Sequence, residues 1–237
     1  MVARIPLIEE LTVEPIPPRS QLLVEYDAGS QWYNATLTIT AAWLKQGGTL
    51  SYNLTLHSPD SLRSRLQKSG LNPAKLEADD KLRIQDYHTA TLGRASGERL
   101  HTHTIKVNDM TLEWAKIIRA YEQAGPETHL LRIWDNLSTL GRFNDDKAWV
   151  EVVLSRDLLL GEKLGATTIR GIVKGVHEEW VYRRLEDSHD GIIDIKLEDV
   201  GKETVDMIRI RGMREVNFDR NWHRLKIDRA LVVTLAE

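Results

Sequence analysis

The sequence predicts an α/β fold on a mostly parallel central sheet whose C-terminal end is antiparallel. Short apolar runs alternate with helical periods over most of the chain, the signature of strand–helix–strand units in a parallel sheet. After about residue 190 the helical periods stop and apolar runs succeed one another across turns, which favours hairpins finishing one sheet edge. No Gly/Ser/Pro-rich linker, internal repeat or low-complexity tract divides the 237 residues, so one domain over 1–237 is expected.

The first strand is read at 21–25, where Leu22, Leu23 and Val24 follow Pro15, Pro17 and Pro18 and precede the turn residues Asp27, Ala28, Gly29 and Ser30. Residues 34–46 place Leu37, Ala41 and Leu44 at helical spacing, and Gly47-Gly48 stop the helix. The pattern repeats as a strand over 49–56, a helix over 58–69 with Leu62 and Leu66 inward, and a strand at 82–84. Periodicity fades between 87 and 109, where alternation over 100–107 marks a small edge strand. Leu112, Ala115 and Ile118 set a helix over 111–124, ended by Gly125-Pro126, and the strand 129–134 runs up to Asp135. Residues 146–160 are apolar on more than one side, which fits a helix packed on the sheet and covered by neighbours. A strand over 166–173 and a helix over 178–185 follow, and 191–197, 205–211, 222–227 and 231–235 are the closing strands.

Composition narrows the chemistry. Hydrophobic residues make up 41% and charged residues 28%, a globular balance and not that of a disordered or membrane chain. The absence of cysteine excludes disulfides, thiolate metal sites and a Cys nucleophile, so only His and carboxylates could hold a metal. A net charge of -3 offers no global attraction to nucleic acid or anionic membranes. The first 20 residues lack a continuous apolar core and no stretch approaches the ~20 apolar residues of a membrane span, so a cytoplasmic location is expected. Seven Trp stand against two Phe, and each buried indole N–H needs a partner. Trp134, Trp149, Trp180 and Trp222 read as ordinary core residues, whereas Trp32 stands apart.

Ordered fragments along nearly the whole chain resemble the KaiC-like branch of the RecA-type P-loop ATPases. Ile5-Pro6-Leu7 with Pro17-Pro18-Arg19-Ser20 resembles the lead-in to that family's first strand, and Leu22-Leu23-Val24-Glu25 the strand delivering its phosphate loop. Ser58-Pro59-Asp60-Ser61-Leu62 resembles the start of its second helix, and Ile133-Trp134-Asp135-Asn136-Leu137-Ser138 its Walker B strand. Asp190-Gly191-Ile192-Ile193, Arg209-Ile210-Arg211-Gly212-Met213-Arg214, Trp222-His223 and Lys226-Ile227 are similar to its C-terminal strands and basic hairpin. The resemblance implies a RecA-like three-layer αβα fold.

The departures from the family pattern fall on its chemistry. A phosphate loop needs G-x-x-x-x-G-K-[ST], so that backbone N–H groups surround phosphates, Lys neutralises charge and a hydroxyl holds Mg²⁺. Here Tyr26 and Gln31 stand at the glycine positions, Trp32 at the lysine and Tyr33 at the Ser/Thr. Leu56 and His57 stand where many relatives carry a glutamate pair that activates water. Of the metal-binding set only Asp135 is retained, and one carboxylate holds Mg²⁺ poorly without phosphates.

Several residues carry two readings each. Gly29, Ser30, Trp32, Tyr33 and Asp135 form an altered nucleotide site, in which Trp32 and Tyr33 either stack on a planar ligand or plug the former phosphate cavity. Asp135 is either a residual metal or hydrogen-bonding residue or a cap for the turn with Asn136 and Ser138. His101 and His103 share one face of an alternating strand, but no third ligand completes a metal site. Arg209, Arg211 and Arg214 are either an interface finger reaching a neighbouring subunit or an exposed strand face. No nucleophile–base–acid set emerges, and no catalytic residue or metal site is assigned. The resemblance with its departures implies a pseudo-ATPase without cofactor, a regulatory or scaffolding subunit that self-associates or joins a catalytic homologue. A nucleotide-binding switch without efficient hydrolysis, with ATP and Mg²⁺ in the altered loop, and a nucleic-acid-binding recombinase-like module are the alternatives.

Overall fold

A computed structural model describes residues 4–109, 118–119 and 129–236. In chain order the elements are β1 (Gln21–Tyr26), α1 (Trp32–Lys45), β2 (Thr49–Leu54), α2 (Pro59–Lys68), α3 (Pro73–Ala78), β3 (Leu82–Asp86), α4 (His88–Thr91) and β4 (Leu100–His101). Then come β5 (Leu130–Trp134), α5 (Ser138–Gly141), α6 (Asp146–Val152), a π-helical turn (Val153–Asp157), α7 (Leu158–Leu164), β6 (Thr167–Val173) and α8 (Glu179–Asp187). The strands β7 (Gly191–Val200), β8 (Glu203–Met213), β9 (His223–Ile227) and β10 (Val233–Leu235) finish the chain.

All ten strands form one sheet in the order β10-β9-β8-β7-β1-β6-β5-β2-β3-β4. From β7 through β1 to β4 every pairing is parallel, and from β7 to β10 every pairing is antiparallel. This is the mostly parallel sheet with an antiparallel C-terminal end that the alternation predicts. Successive strand side chains point to opposite faces. Leu22 and Val24 therefore join the core beneath α1 and α2, with Leu37, Leu44, Leu62 and Leu66. Leu23 joins the opposite core with Trp149, Val150, Val153, Val181 and Leu185 from α6 to α8. Helices on both faces give the three-layer arrangement.

Three expectations change. The expected helix over 146–160 is a helical run to Leu164 interrupted by the π turn. The extra residue of that turn brings Asp157 inward to a fully buried cluster, where it accepts from Arg132 (2.7 Å), Arg170 (2.8 Å) and the Trp134 indole (3.2 Å). Burial raises the Asp157 pKa, but the two guanidinium groups outweigh it and hold the carboxyl at about 2. The edge strand expected over 100–107 shrinks to two residues, because Thr102 turns the chain by donating to the Thr104 carbonyl at 2.5 Å. Trp180 is 40% exposed and donates to Glu178 rather than packing inside. The expected helix over 111–124 falls, apart from Ile118 and Arg119, outside the described residues. No helix among the described residues is long and apolar enough to cross a membrane.

Candidate functional site

The loop between β1 and α1 is a tight turn closed by acidic residues. Gly29 sits at φ +86°, a backbone conformation glycine adopts without penalty. The Asp27 amide donates to the Ile195 carbonyl at 3.1 Å and the Ser30 amide to the Asp27 carbonyl at 3.0 Å. The Gln31 amide, at the entrance to α1, donates to the Asp206 carboxylate at 2.7 Å. Donors that a phosphate loop would turn toward an anion are thus used within the protein, and two carboxylates stand beside them. Burial pushes the Asp206 pKa up, opposed by the Gln31 amide and reinforced by the charge of Asp27. Lys174, just past β6, brings a cation to this region. It donates to the Ile195 carbonyl at 3.1 Å and lies 3.8 Å from Asp27 and 3.7 Å from Asp194.

Trp32 is the first residue of α1 and is 2% exposed. Its indole N–H donates to the Asp135 carbonyl at 2.8 Å, and its ring centroid lies 5.8 Å from that of Tyr26. The slot exists because β6 carries Gly171. A Cβ there would lie 2.3 Å from the Trp32 indole nitrogen and 2.6 Å from the Asp135 carbonyl oxygen. Glycine in a strand interior marks such a close approach, a signal that the reading of 166–173 as a plain strand passed over. Tyr33 is half-buried, its ring tilted by 43° against that of His57 with the centroids 3.9 Å apart.

Asp135 is fully buried at the end of β5, and its carboxylate faces β2 rather than solvent. One oxygen accepts from the Thr55 amide (3.0 Å) and hydroxyl (2.5 Å), and the other accepts from the Leu56 amide at 3.2 Å. Burial raises its pKa to about 6, opposed by the donors of Thr55, Leu56 and Asn136. Turn capping falls to Asn136, which accepts from the Ser138 amide at 2.9 Å. Asp135 therefore ties the ends of two strands together, and Thr55, its principal partner, carried no signal in the sequence. These residues do not fit Mg²⁺-ATP. Lysine and hydroxyl are replaced, the amides of Asp27, Ser30 and Gln31 are engaged within the protein, and the Asp135 carboxylate already accepts three hydrogen bonds.

The three arginines are placed apart from the indole slot and engage acids of their own chain. Arg209 donates to Asp194 at 2.8 Å and lies 4.4 Å from the ring of Trp222. Arg211 pairs with Glu25 at 2.7 Å and Glu186 at 2.9 Å. Burial, with Glu186 beside it, raises the Glu25 pKa to about 7 against the pull of Arg211. Arg214 is the most exposed, donating to the Asp187 carbonyl at 2.9 Å. The His101 and His103 rings meet edge to face with their centroids 4.6 Å apart, and no group of three or more metal-ligating side chains occurs among the described residues.

A cavity of about 640 Å³ opens past the ends of β5 and β6, lined by Ser138, Arg142, Lys147, His177 and Trp180 among others. Asp146 orients His177 there, accepting from its Nδ1 at 3.0 Å while also accepting from the Trp149 indole at 2.8 Å.

A sequence model of the family described as "ATPase: KaiC" matches residues 54–237. No curated protein matches. Among solved structures, a KaiC-like protein from the hyperthermophilic archaeon Pyrococcus horikoshii OT3 superposes with a TM-score of 0.76 at 16% identity, covering 100% of this chain and 98% of its own. An uncharacterized protein from Pyrococcus horikoshii, in complex with an unknown peptide, superposes with a TM-score of 0.75 at 13% identity, covering 94% and 93%.

Proposed function

Since the chain belongs to the KaiC ATPase family, whose model spans more than half of it, we propose that it is a non-catalytic member, a regulatory or scaffolding subunit acting within a homo- or hetero-oligomer. The observation that carries this reading is the Trp32 indole. It fills the place where the family pattern has a phosphate-binding lysine, and is fixed to the Asp135 carbonyl through a slot that only Gly171 leaves open. The family match begins at Leu54, after the altered loop, so the matched part is the architecture and not the phosphate loop. One similar structure holds a peptide, which supports a partner-binding use of this fold. Of the three arginines proposed for an interface, Arg214 has the greatest reach, because Arg209 and Arg211 are engaged by Asp194, Glu25 and Glu186. A single domain over 1–237 remains the reading of the whole chain.

Phosphate release from ATP with Mg²⁺ tests the proposal. The purified protein is expected to release no more phosphate than a Trp32→Ala/Asp135→Ala variant. A rate well above that background, abolished by chelating Mg²⁺, overturns the reading.

A further inference from the structure

A second concave site lies away from the loop, between α1, the end of α2 and the turn before β10. It is a groove of about 530 Å³, within the range of small-molecule sites. Its floor is aliphatic, from Ala42 on α1 and the edge of the core at Leu37 and Ala41, together with Leu231 and Val232, which are 39% and 37% exposed. Leu231 holds φ +64°, a strained conformation for a branched residue, and the turn is stabilised in it by Asp228. Four cations surround the floor from three directions: Lys45 at the end of α1, Arg65 and Lys68 in the last turn of α2, and Arg229 on the turn. Among the described residues none of the four is ion-paired and no carboxylate lines the groove. In a chain of net charge -3 such a cluster is a local reversal of sign.

We propose that this groove binds a single-chain anionic amphiphile, an aliphatic body with a carboxylate or phosphate head. The aliphatic floor takes the chain and the cations take the head. A peptide fits less well, because the polar groups it would need are already engaged. The amides of Ala230 and Val232 donate to the Asp228 carboxylate, and those of Leu231 and Val233 donate to the Asp228 carbonyl and the Thr38 hydroxyl. The Thr38 and Ser69 hydroxyls donate in turn to the carbonyls of Asn34 and Arg65. A backbone laid in the groove would leave its N–H and C=O groups without partners, whereas an alkyl chain has none to satisfy.

Isothermal titration of the whole protein with decanoate and decyl phosphate, below their micelle concentrations, tests this. Decyltrimethylammonium and decyl maltoside serve as cationic and neutral controls. Both anions are expected to bind, and the controls at least about tenfold more weakly. A Lys45→Glu/Lys68→Glu/Arg229→Glu variant, altering only exposed side chains, should lose at least about tenfold for both anions. Ala42→Trp, which fills the floor, should lose as much with the charges intact, circular dichroism confirming that both variants fold. The proposal is overturned if neither anion binds, if the controls bind equally, or if the charge-reversed variant binds as well as the parent. It is also overturned if an acidic peptide bearing leucines binds more tightly than decanoate. Binding of decyl phosphate alone would narrow the head to phosphate and keep the site.

Discussion

At the scale of single residues, the buried carboxylates set the pH response. Glu25 on β1 faces Glu186 and Arg211, and Arg211 also approaches Asp194 at 3.6 Å. Its pKa rises in the folded protein from 4.5 to about 7, mainly through burial. A carboxyl whose pKa is raised by folding binds its proton more tightly in the native state than in the unfolded chain. Its stabilising contribution is therefore fully present below pH 4.5 and is lost as pH climbs through about 7. The shift corresponds to at most about 3 kcal/mol, reduced by solvent around the half-exposed Arg211. Asp135, raised from 3.8 to about 6, adds a slope of the same sign at lower pH. Glu25→Gln keeps the side-chain volume and removes the titration. Urea midpoints between pH 5 and pH 8 should fall less in this variant than in the parent protein, and parallel curves would refute the assignment. None of this was legible in the sequence, because Glu25 read only as the end of an apolar run, and Glu186 and Arg211 reach it from distant elements.

At the scale of elements, the start of α1 is pinned to the sheet by the Trp32 indole in the slot over Gly171, as its end is by the Trp43 indole, which donates to the Thr49 carbonyl at 2.9 Å beside Gly48. Gly171→Ala would place a methyl 2.3 Å from the Trp32 nitrogen and 2.6 Å from the Asp135 carbonyl, costing about 1–3 kcal/mol or more as overpacking. Trp32→Ala removes a fully buried ring and should cost about 3–5 kcal/mol. The two changes act on one space, so the double variant should be less destabilised than their sum by about 1–3 kcal/mol. Urea unfolding of the four proteins measures that coupling, and strict additivity would show that indole and glycine do not share the slot. The π turn is a second fixed point. Asp157→Ala leaves Arg132 and Arg170 buried without their shared carboxylate and should cost about 3–5 kcal/mol by the same measurement, with a loss under about 1 kcal/mol refuting it. Strand and helix order was legible because apolar periodicity reports it directly. The π turn was not, since its signal is a side chain, Asp157, needed 25 residues away from Arg132. The altered loop was legible as missing residue types, but its replacement contacts were not. Asp206 reaches the Gln31 amide across 175 residues, and only folding of the β7–β8 ribbon brings them together.

At the scale of the whole molecule, the groups that engage the β1–α1 loop come from several strands, which makes the site hard to convert locally. Rebuilding the motif with Gln31→Gly, Trp32→Lys and Tyr33→Thr supplies a glycine, an ammonium and a hydroxyl. It leaves Asp206 from β8 on the residue-31 amide, Asp27 in the turn, and the Asp135 carboxylate held by Thr55 and Leu56. Those carboxylates oppose a triphosphate, and Leu56 and His57 still stand where a water-activating pair is needed. The same substitutions empty the indole slot between Tyr26 and Gly171, so they also remove the packing that seats α1. The triple variant is therefore expected to unfold at least about 3 kcal/mol more easily than the parent. It should bind Mg²⁺-ATP no more tightly than about 1 mM and release no phosphate above background. Calorimetric titration and phosphate release on the folded variant check this. Hydrolysis restored by the three substitutions alone would mean that only the loop residues separate this chain from an active ATPase, and that the acids of β8 and the turn impose no further barrier.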